Sequence, residues 1–572
     1  MKKYIYTFAA VFLLGIMQSC SSYLEESNPN ELSTDTYWKN LEDSESNLTS
    51  VYSAMLHTYV LSIAEEFNRT DLAYPGRRTR PTGQYLAWYQ QRVTSDNREL
   101  GDAWDAKYQV IWRANQVIEG LESMDAEFKA DPIWTRQMAE ARFFRGLMHF
   151  YLHANFNEGK IVIRDAVPVA PEDFTKPTSS SEEVIKFFRE DLEFAYANLP
   201  AQGKTIARVD AAVAATILGT SYLYEGKPTE AIPYFKDVIT NSAYGLSLEQ
   251  DPGKVFPSGG DFSSESIFEI NYADNFRPED TFFNEASFQN RLARRTGPTG
   301  KNTEANINFG GAAWVVPSAW LTYQYMQEHL EMDPSDARNY VDNDITKPLK
   351  NNSLRASHSI ALVNDETSVY YGYTAPQSFA FGGTLFSLFK KYTNHLNGNT
   401  AEDDTNTSGW KSGRNVVVNR LSGVYLMYAE CLASTDIPKA VGLVNEIRKR
   451  WGLIPLDAGT FNETTFMDQL MYHEYPLELS LEGFSTRSID LRRWGVAQQR
   501  FQDLSTQVYG LADYTYTRTN GKTAKRKKSL LELGSGATPF SEYTEAADAW
   551  ASGYNGYLPL PQSETLNNQN AN

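Results

Sequence analysis

ARVDAAVAATILGTSYLYEGKPTEAIPYFKDVIT, residues 207–240, reads as two helices joined by a turn. Its first part, residues 207–225, carries small side chains at Ala211, Ala212, Ala214, Ala215 and Gly219, which let a neighbouring backbone approach closely. Gly226-Lys227-Pro228 makes the turn, and residues 229–240 return Ala231, Phe235 and Val238 on one face. A small-faced helix against a large-faced partner, within 34 residues, is the pattern of a tetratricopeptide-like repeat. The same logic recurs downstream. Val424, Met427, Tyr428 and Cys431 mark one helix over residues 421–432, residues 436–438 turn, and Ala440, Leu443, Val444 and Ile447 answer from the next. Cys431 is therefore predicted to be a buried core thiol and not a nucleophile.

Working outward from the first pair, more helices precede it. Trp38 introduces one that Asp43 or Ser44 caps, with Leu48, Val51, Tyr52, Met55 and Leu56 at three- and four-residue spacings. Others are predicted over residues 104–124, 133–156 and from Ser181 to about Leu199. Residues 68–97 lose the period and read as a long ordered loop, where Arg77, Arg78, Arg80 and Pro81 stand beside Tyr85, Trp88 and Tyr89. Residues 247–410 are rich in Gly, Pro, Asn and aromatics. A helix is predicted there at 317–331, with short strands at 266–272 and 369–373. The tail from Thr515 is irregular, and its basic run Lys522 to Lys528 reads as a solvated hairpin tip.

The amino terminus sets the address. Lys2 and Lys3 precede an apolar run, Tyr4 to Met17, that is too short to span a bilayer. Met17-Gln18-Ser19-Cys20 then resembles a bacterial lipoprotein cleavage site, departing from the common form at Met17 and Gln18. The resemblance implies cleavage after residue 19 and lipidation of Cys20, with residues 20–37 as a tether. Only Cys20 and Cys431 exist, so a lipidated Cys20 leaves no disulfide framework. The body is 41 % hydrophobic with a mean hydropathy of −0.47. Its net charge of −18 becomes −20 once residues 1–19, with two lysines and no acid, are removed. Such a charge argues against nucleic acid and against an anionic membrane surface as partners.

Catalytic patterns are weak. His149 and His153 share a helix face, but Phe150 stands where a metalloprotease needs glutamate, so both read as packed side chains. No nucleophile elbow is present, residues 297–301 lack the spacing of a phosphate loop, and the acids Glu402-Asp403-Asp404 and Asp342 with Asp344 do not fit a calcium loop. No metal or cofactor is implied. Paired carboxylates for glycoside hydrolysis stay open, because their separation belongs to the fold. Aromatics reach 13 %, and a sugar, with an apolar C–H face and a hydroxyl rim, asks for flat rings beside Asp, Asn and Arg. Residues 68–97 hold that mixture in Asn68, Asp71, Arg78, Tyr85, Trp88 and Asn97.

Several segments in order resemble the SusD/RagB family of outer-membrane lipoproteins. They include Ala139-Glu140-Ala141-Arg142-Phe143-Phe144-Arg145-Gly146, Tyr425-Leu426-Met427-Tyr428-Ala429-Glu430 leading to Arg448-Lys449-Arg450, Glu478-Leu479 with Glu482-Gly483-Phe484, Asp490-Leu491-Arg492-Arg493-Trp494-Gly495, and Tyr557-Leu558-Pro559-Leu560-Pro561. Departures are Tyr475-Pro476 in place of arginines, a longer turn between Gly483 and Asp490, and a tail without the usual Asn-Pro. The resemblance implies one all-α domain over residues 38–572. Tetratricopeptide-like pairs occupy about 38–246 and 420–500, a loop-rich ligand-binding insertion about 247–419, and an irregular tail about 501–572. It implies a non-catalytic glycan-binding protein at the cell surface that delivers oligosaccharide to a SusC-like TonB-dependent transporter. Glu25 and Glu26 resemble the acidic surface-export mark of such lipoproteins. The site it implies has Trp88 and Trp314 as platforms, Tyr85 as a third, and Asp71, Asn68 and Arg78 as hydrogen-bonding partners. Trp320 and Tyr323 are assigned to the core. Peptide capture on the same scaffold and a surface glycan-cleaving enzyme are the alternatives.

Overall fold

Asn40 opens the scaffold: its side-chain carbonyl accepts from the amides of Glu42 and Asp43 at 2.8 and 3.0 Å and starts helix α1, Leu41–Met55. The cap is thus three residues earlier than Asp43, because the free amides of a first turn select the residue just before it. The computed structural model describes residues 38–571 apart from 79, 82, 257–259, 273–289, 303–306, 379, 383, 397–411, 485, 535 and 537. Residues 1–37, with Cys20, Glu25, Glu26 and the tether, and the acids at 402–404 lie outside the described residues.

Helix α2, Arg98–Ser123, begins where the Asn97 side chain accepts from Leu100 N–H at 3.0 Å. Helix α3, Pro132–Asn155, starts on Asp131 with proline in its first turn. Helix α4, Ser181–Asn198, carries a capping box of Ser180 and Glu183. The predicted pair follows as α5, Ala211–Tyr224, and α6, Pro228–Thr240. A Cβ on Gly219 would stand 2.6 Å from the Phe235 ring, so the glycine sets the closeness of the two helices. Helix α7, Ala319–Gln327, lies in the insertion. The second pair is α8, Leu421–Leu432, and α9, Ile437–Arg450. It packs on α6 and shares an apolar core with it, while α1 to α5 enclose the larger core. Cys431 is buried in the core that the second pair shares with α6, and burial pushes its thiol up to about 12. The fold is mostly helical, as expected.

Short antiparallel pairs build the rest. Strand β1, Ala73–Arg77, takes part in one sheet, and β2, Ser266–Ile270, in another. Strand β3, Val315–Pro317, pairs with β1, placing Tyr74 opposite Val316. Strand β4, Ile360–Leu362, pairs with β5, Ser387–Phe389, and β6, Val416–Arg420, pairs with β2. The long hairpin is β7, Tyr509–Thr517, and β8, Thr523–Leu533. Two expectations change here. Residues 68–97 contain β1 and a helix, Gly83–Tyr89, in place of one long loop. The basic residues from Lys525 to Lys528 lie within β8, whereas the turn itself falls at residues 518–522.

A buried charge network ties the insertion to the second helical pair. Arg355 bonds Glu328 and, at 3.0 Å, Glu474. Arg420 bonds Glu478 at 2.7 Å, Glu482 at 2.6 Å and Glu265 at 3.0 Å. Arg450 bonds Glu265 and Glu478, Arg448 bonds Glu474 and Glu331, and Lys391 bonds Glu482. Six carboxylates thus face five arginine and lysine cations. His473 supplies the sixth positive charge: burial opposes it, but Glu331 and Glu474 outweigh burial and push it up to about 9.

Candidate functional site

The β1–β3 pairing brings residues 68–97 against residues 291–318, as the site expectation requires, but it turns most of the expected residues inward. Asp71 is fully buried and receives Arg487 through Nε at 2.8 Å and Nη2 at 2.7 Å, with Arg500 Nε at 2.8 Å. Asn68 ends a short helix, Ile63–Asn68, and its Nδ2 donates to the Ala64 carbonyl at 2.7 Å. Tyr85 and Trp88 lie on the buried side of the helix Gly83–Tyr89. All four are 0 % exposed, so in this structure they offer no surface to a ligand. The sequence reading of them as platforms and polar contacts is corrected for that reason. Arg78 is nearly enclosed as well: it donates to Glu542 at 2.8 Å and to the Pro317 carbonyl at 3.1 Å, and its guanidinium lies 3.8 Å from the Phe386 ring centre.

Trp314 is half-buried. Its ring centre is 6.4 Å from that of Tyr85, tilted by 56°. The short helix Leu292–Thr296 presents two arginines to this neighbourhood. Arg294 lies 5.3 Å from the Trp314 ring centre. Arg295 is buried between Glu65, at 3.3 Å, and the rings of Tyr59 and Tyr85, at 5.6 and 6.0 Å. Burial raises the Glu65 carboxyl, with Arg295 opposing. Burial also pushes the half-buried Tyr59 up to about 12, helped by the Glu65 charge. Half-exposed rings beside guanidinium donors suit stacking against a flat apolar face and hydrogen bonding at its polar rim. Tyr59, Arg291 and Arg294 were missed in the sequence. The available signal was three arginines within five residues, 291–295, in an otherwise acidic chain.

The expected catalytic false leads resolve as packing. His149 Nδ1 lies 2.8 Å from the Arg145 carbonyl oxygen and His153 Nε2 lies 2.8 Å from Ser181 Oγ, and burial lowers both rings to about 4.

Residues 264–572 match a family model described as the SusD family. The chain belongs to the SusD family. Residues 22–223 match a second model, described as starch-binding associating with outer membrane. Among relatives of this SusD-family chain, SusD-like protein P25 of Formosa agariphila is 22 % identical, over 87 % of this chain and 91 % of its own. Among solved structures, a SusD superfamily protein from Bacteroides vulgatus superposes with a TM-score of 0.70 at 20 % identity, covering 94 % of this chain and 99 % of that one. A laminarin-binding SusD-like protein gives 0.65 at 20 % identity, covering 93 % and 98 %. A structure with xylogluco-oligosaccharide gives 0.64 at 20 % identity, covering 93 % and 97 %. These likenesses establish that the SusD fold runs through the described chain.

Proposed function

We propose that this SusD-family protein is a non-catalytic glycan-capturing lipoprotein of the outer-membrane surface. Cys20 anchors it, and it hands oligosaccharide to a SusC-like TonB-dependent transporter. The observation that carries the reading is the family match along the chain, over residues 22–223 and 264–572. The relatives described as binding laminarin and as solved with xylogluco-oligosaccharide share its fold. The half-buried Trp314 with Arg294 beside it supplies the platform such a ligand needs.

Calorimetry of the purified mature protein against laminarin, xyloglucan and starch oligosaccharides tests this. Saturable binding to at least one glycan is expected, with no release of reducing ends on prolonged incubation. Trp314→Ala should weaken that binding about ten-fold, a loss of about 1.4 kcal/mol. Binding of peptides with none of the glycans would transfer the protein to peptide capture. Steady release of reducing ends would make it an enzyme.

A further inference from the structure

Among the described residues, strand β2 pairs with β6 along one edge only. Two clefts follow it. The first, of about 380 Å³, is bordered by Asp210, which caps α5, by Tyr244, just beyond α6, and by residues 266–269 of the strand. The second, of about 330 Å³, is bordered by Tyr52 of α1, Phe144 of α3 and residues 268–271. Consecutive residues of the strand line them, not alternate ones, so the clefts run along an edge and not across one face. Ala207, Arg208, Phe268 and Glu269 border both, so the two clefts adjoin and together follow the strand as a trough. Beyond the second, Ile270 and Tyr272 reach a small hollow bordered by His57, Arg291 and Arg295, the arginine helix beside Trp314. From Ser266 to Tyr272 an extended chain covers about 20 Å.

The trough has fixed walls. Glu269 is 7 % exposed. Its two oxygens accept the Phe262 amide, each at 3.2 Å, and Asn415 Nδ2 donates to one of them at 2.9 Å. Phe262 borders the first cleft at φ 54°, a left-handed conformation that an aromatic residue adopts only when its surroundings enforce it. Tyr244, Phe262 and Phe268 border the first cleft together with Gln202, Thr205 and Ser264. Arg208 lies at the junction, but its guanidinium is engaged by Glu45 at 2.7 Å and Glu140 at 3.1 Å, and stands 4.3 Å from the Tyr52 ring centre. The remaining charged side chains facing the trough, Asp210 and Glu269, are acidic. Burial raises Glu269 and lifts Asp210 to about 6, which favours hydroxyl donors over strong ions as partners.

We propose that this trough accepts a linear, uncharged oligosaccharide lying along β2, beside the two clefts that follow the strand. The proposal rests on the glycan-binding reading above. Aromatic and polar side chains line it together, each cleft falls in the size range of small-ligand sites, about 300–1,000 Å³, and Arg208, the arginine bordering both clefts, is already paired with Glu45 and Glu140.

Calorimetry of the mature protein with neutral gluco-oligosaccharides of increasing length tests it, alongside a uronate ladder and an extended peptide. Thr205→Trp and Ser264→Trp place bulk in the first cleft from its accessible rim, and thermal melts verify their folding. In the wild type, affinity should rise ten-fold or more from the shortest to the longest neutral saccharide. The two variants should lose that rise, so that long and short saccharides bind alike. A rise that survives both substitutions, a flat wild-type ladder, or tighter binding of uronates or of the peptide overturns the trough while leaving glycan capture at Trp314 standing. Absence of binding to every glycan overturns the glycan reading and the trough with it.

Discussion

Asp71 was singled out in the sequence as a sugar contact and stands in the structure as a buried counter-ion. Burial alone raises a carboxyl, yet Arg487 and Arg500 hold Asp71 at about 2. A folded-state value below the unfolded one, about 3.9, means stability that is fully present above pH 4 and lost as the pH falls from about 4 to 2. Asp71→Asn leaves two buried guanidiniums without their charge partner. It should therefore lower stability by about 3–5 kcal/mol in urea titrations near neutral pH, and it should flatten the acid-induced loss over that window. A variant as stable as the parent would mean the two arginines find other acceptors. The sequence identified the aspartate but not its partners, which come from more than four hundred residues further along the chain. Trp314 and Arg78 were also identified, and both are half-buried, Arg78 held by Glu542 and the Pro317 carbonyl.

At the scale of elements, long periodic segments were legible and short ones were not. Helices α3, α4, α5, α6 and α8 fall within a few residues of the expected spans, because two or more turns of apolar spacing leave little choice of face. The helix Gly83–Tyr89 and strand β1 were hidden, since neither is long enough to show a period. Placing the basic run at a hairpin tip failed for a related reason. Lysines are common on exposed strands as well as in turns, so composition does not separate the two. The first helical pair offers a direct check. Gly219 faces Phe235 closely enough that a methyl group needs the ring or the helix to move. Gly219→Ala should cost about 1–3 kcal/mol through overpacking, despite the better helix propensity of alanine. A thermal midpoint equal to or above that of the wild type would show that α5 and α6 separate without strain.

For the whole molecule, the charge network matters more than any single helix. Glu478 accepts from Arg420, Arg450 and the Trp451 indole at once, and Arg355 stands 3.5 Å away. It therefore joins the insertion, the end of β6 and helix α9. The segments that carried the family resemblance, Arg448 to Arg450 and Glu478 to Glu482, are members of this network. Those motifs accordingly report the fold and not the ligand. Glu478→Gln removes one charge from a balanced buried set, and about 3–5 kcal/mol of destabilisation is expected. Both apolar cores should loosen together, which hydrogen exchange reads as lost protection in α9 and in the strands β4 and β5. Loss confined to α9 would show that the network does not couple the two halves.

The sequence by itself determined the helical-pair scaffold, the family, and the buried state of Cys431. Each depends on local periodicity or on ordered short motifs, which neighbouring residues carry among themselves. Only the tertiary structure decided which of the expected side chains are buried and which keep some surface. Burial of Asn68, Asp71, Tyr85 and Trp88, and the trough along β2, follow from strand pairings and ion pairs between residues far apart in the chain. Solvent exposure is a property of that packing, and residue type alone does not specify it.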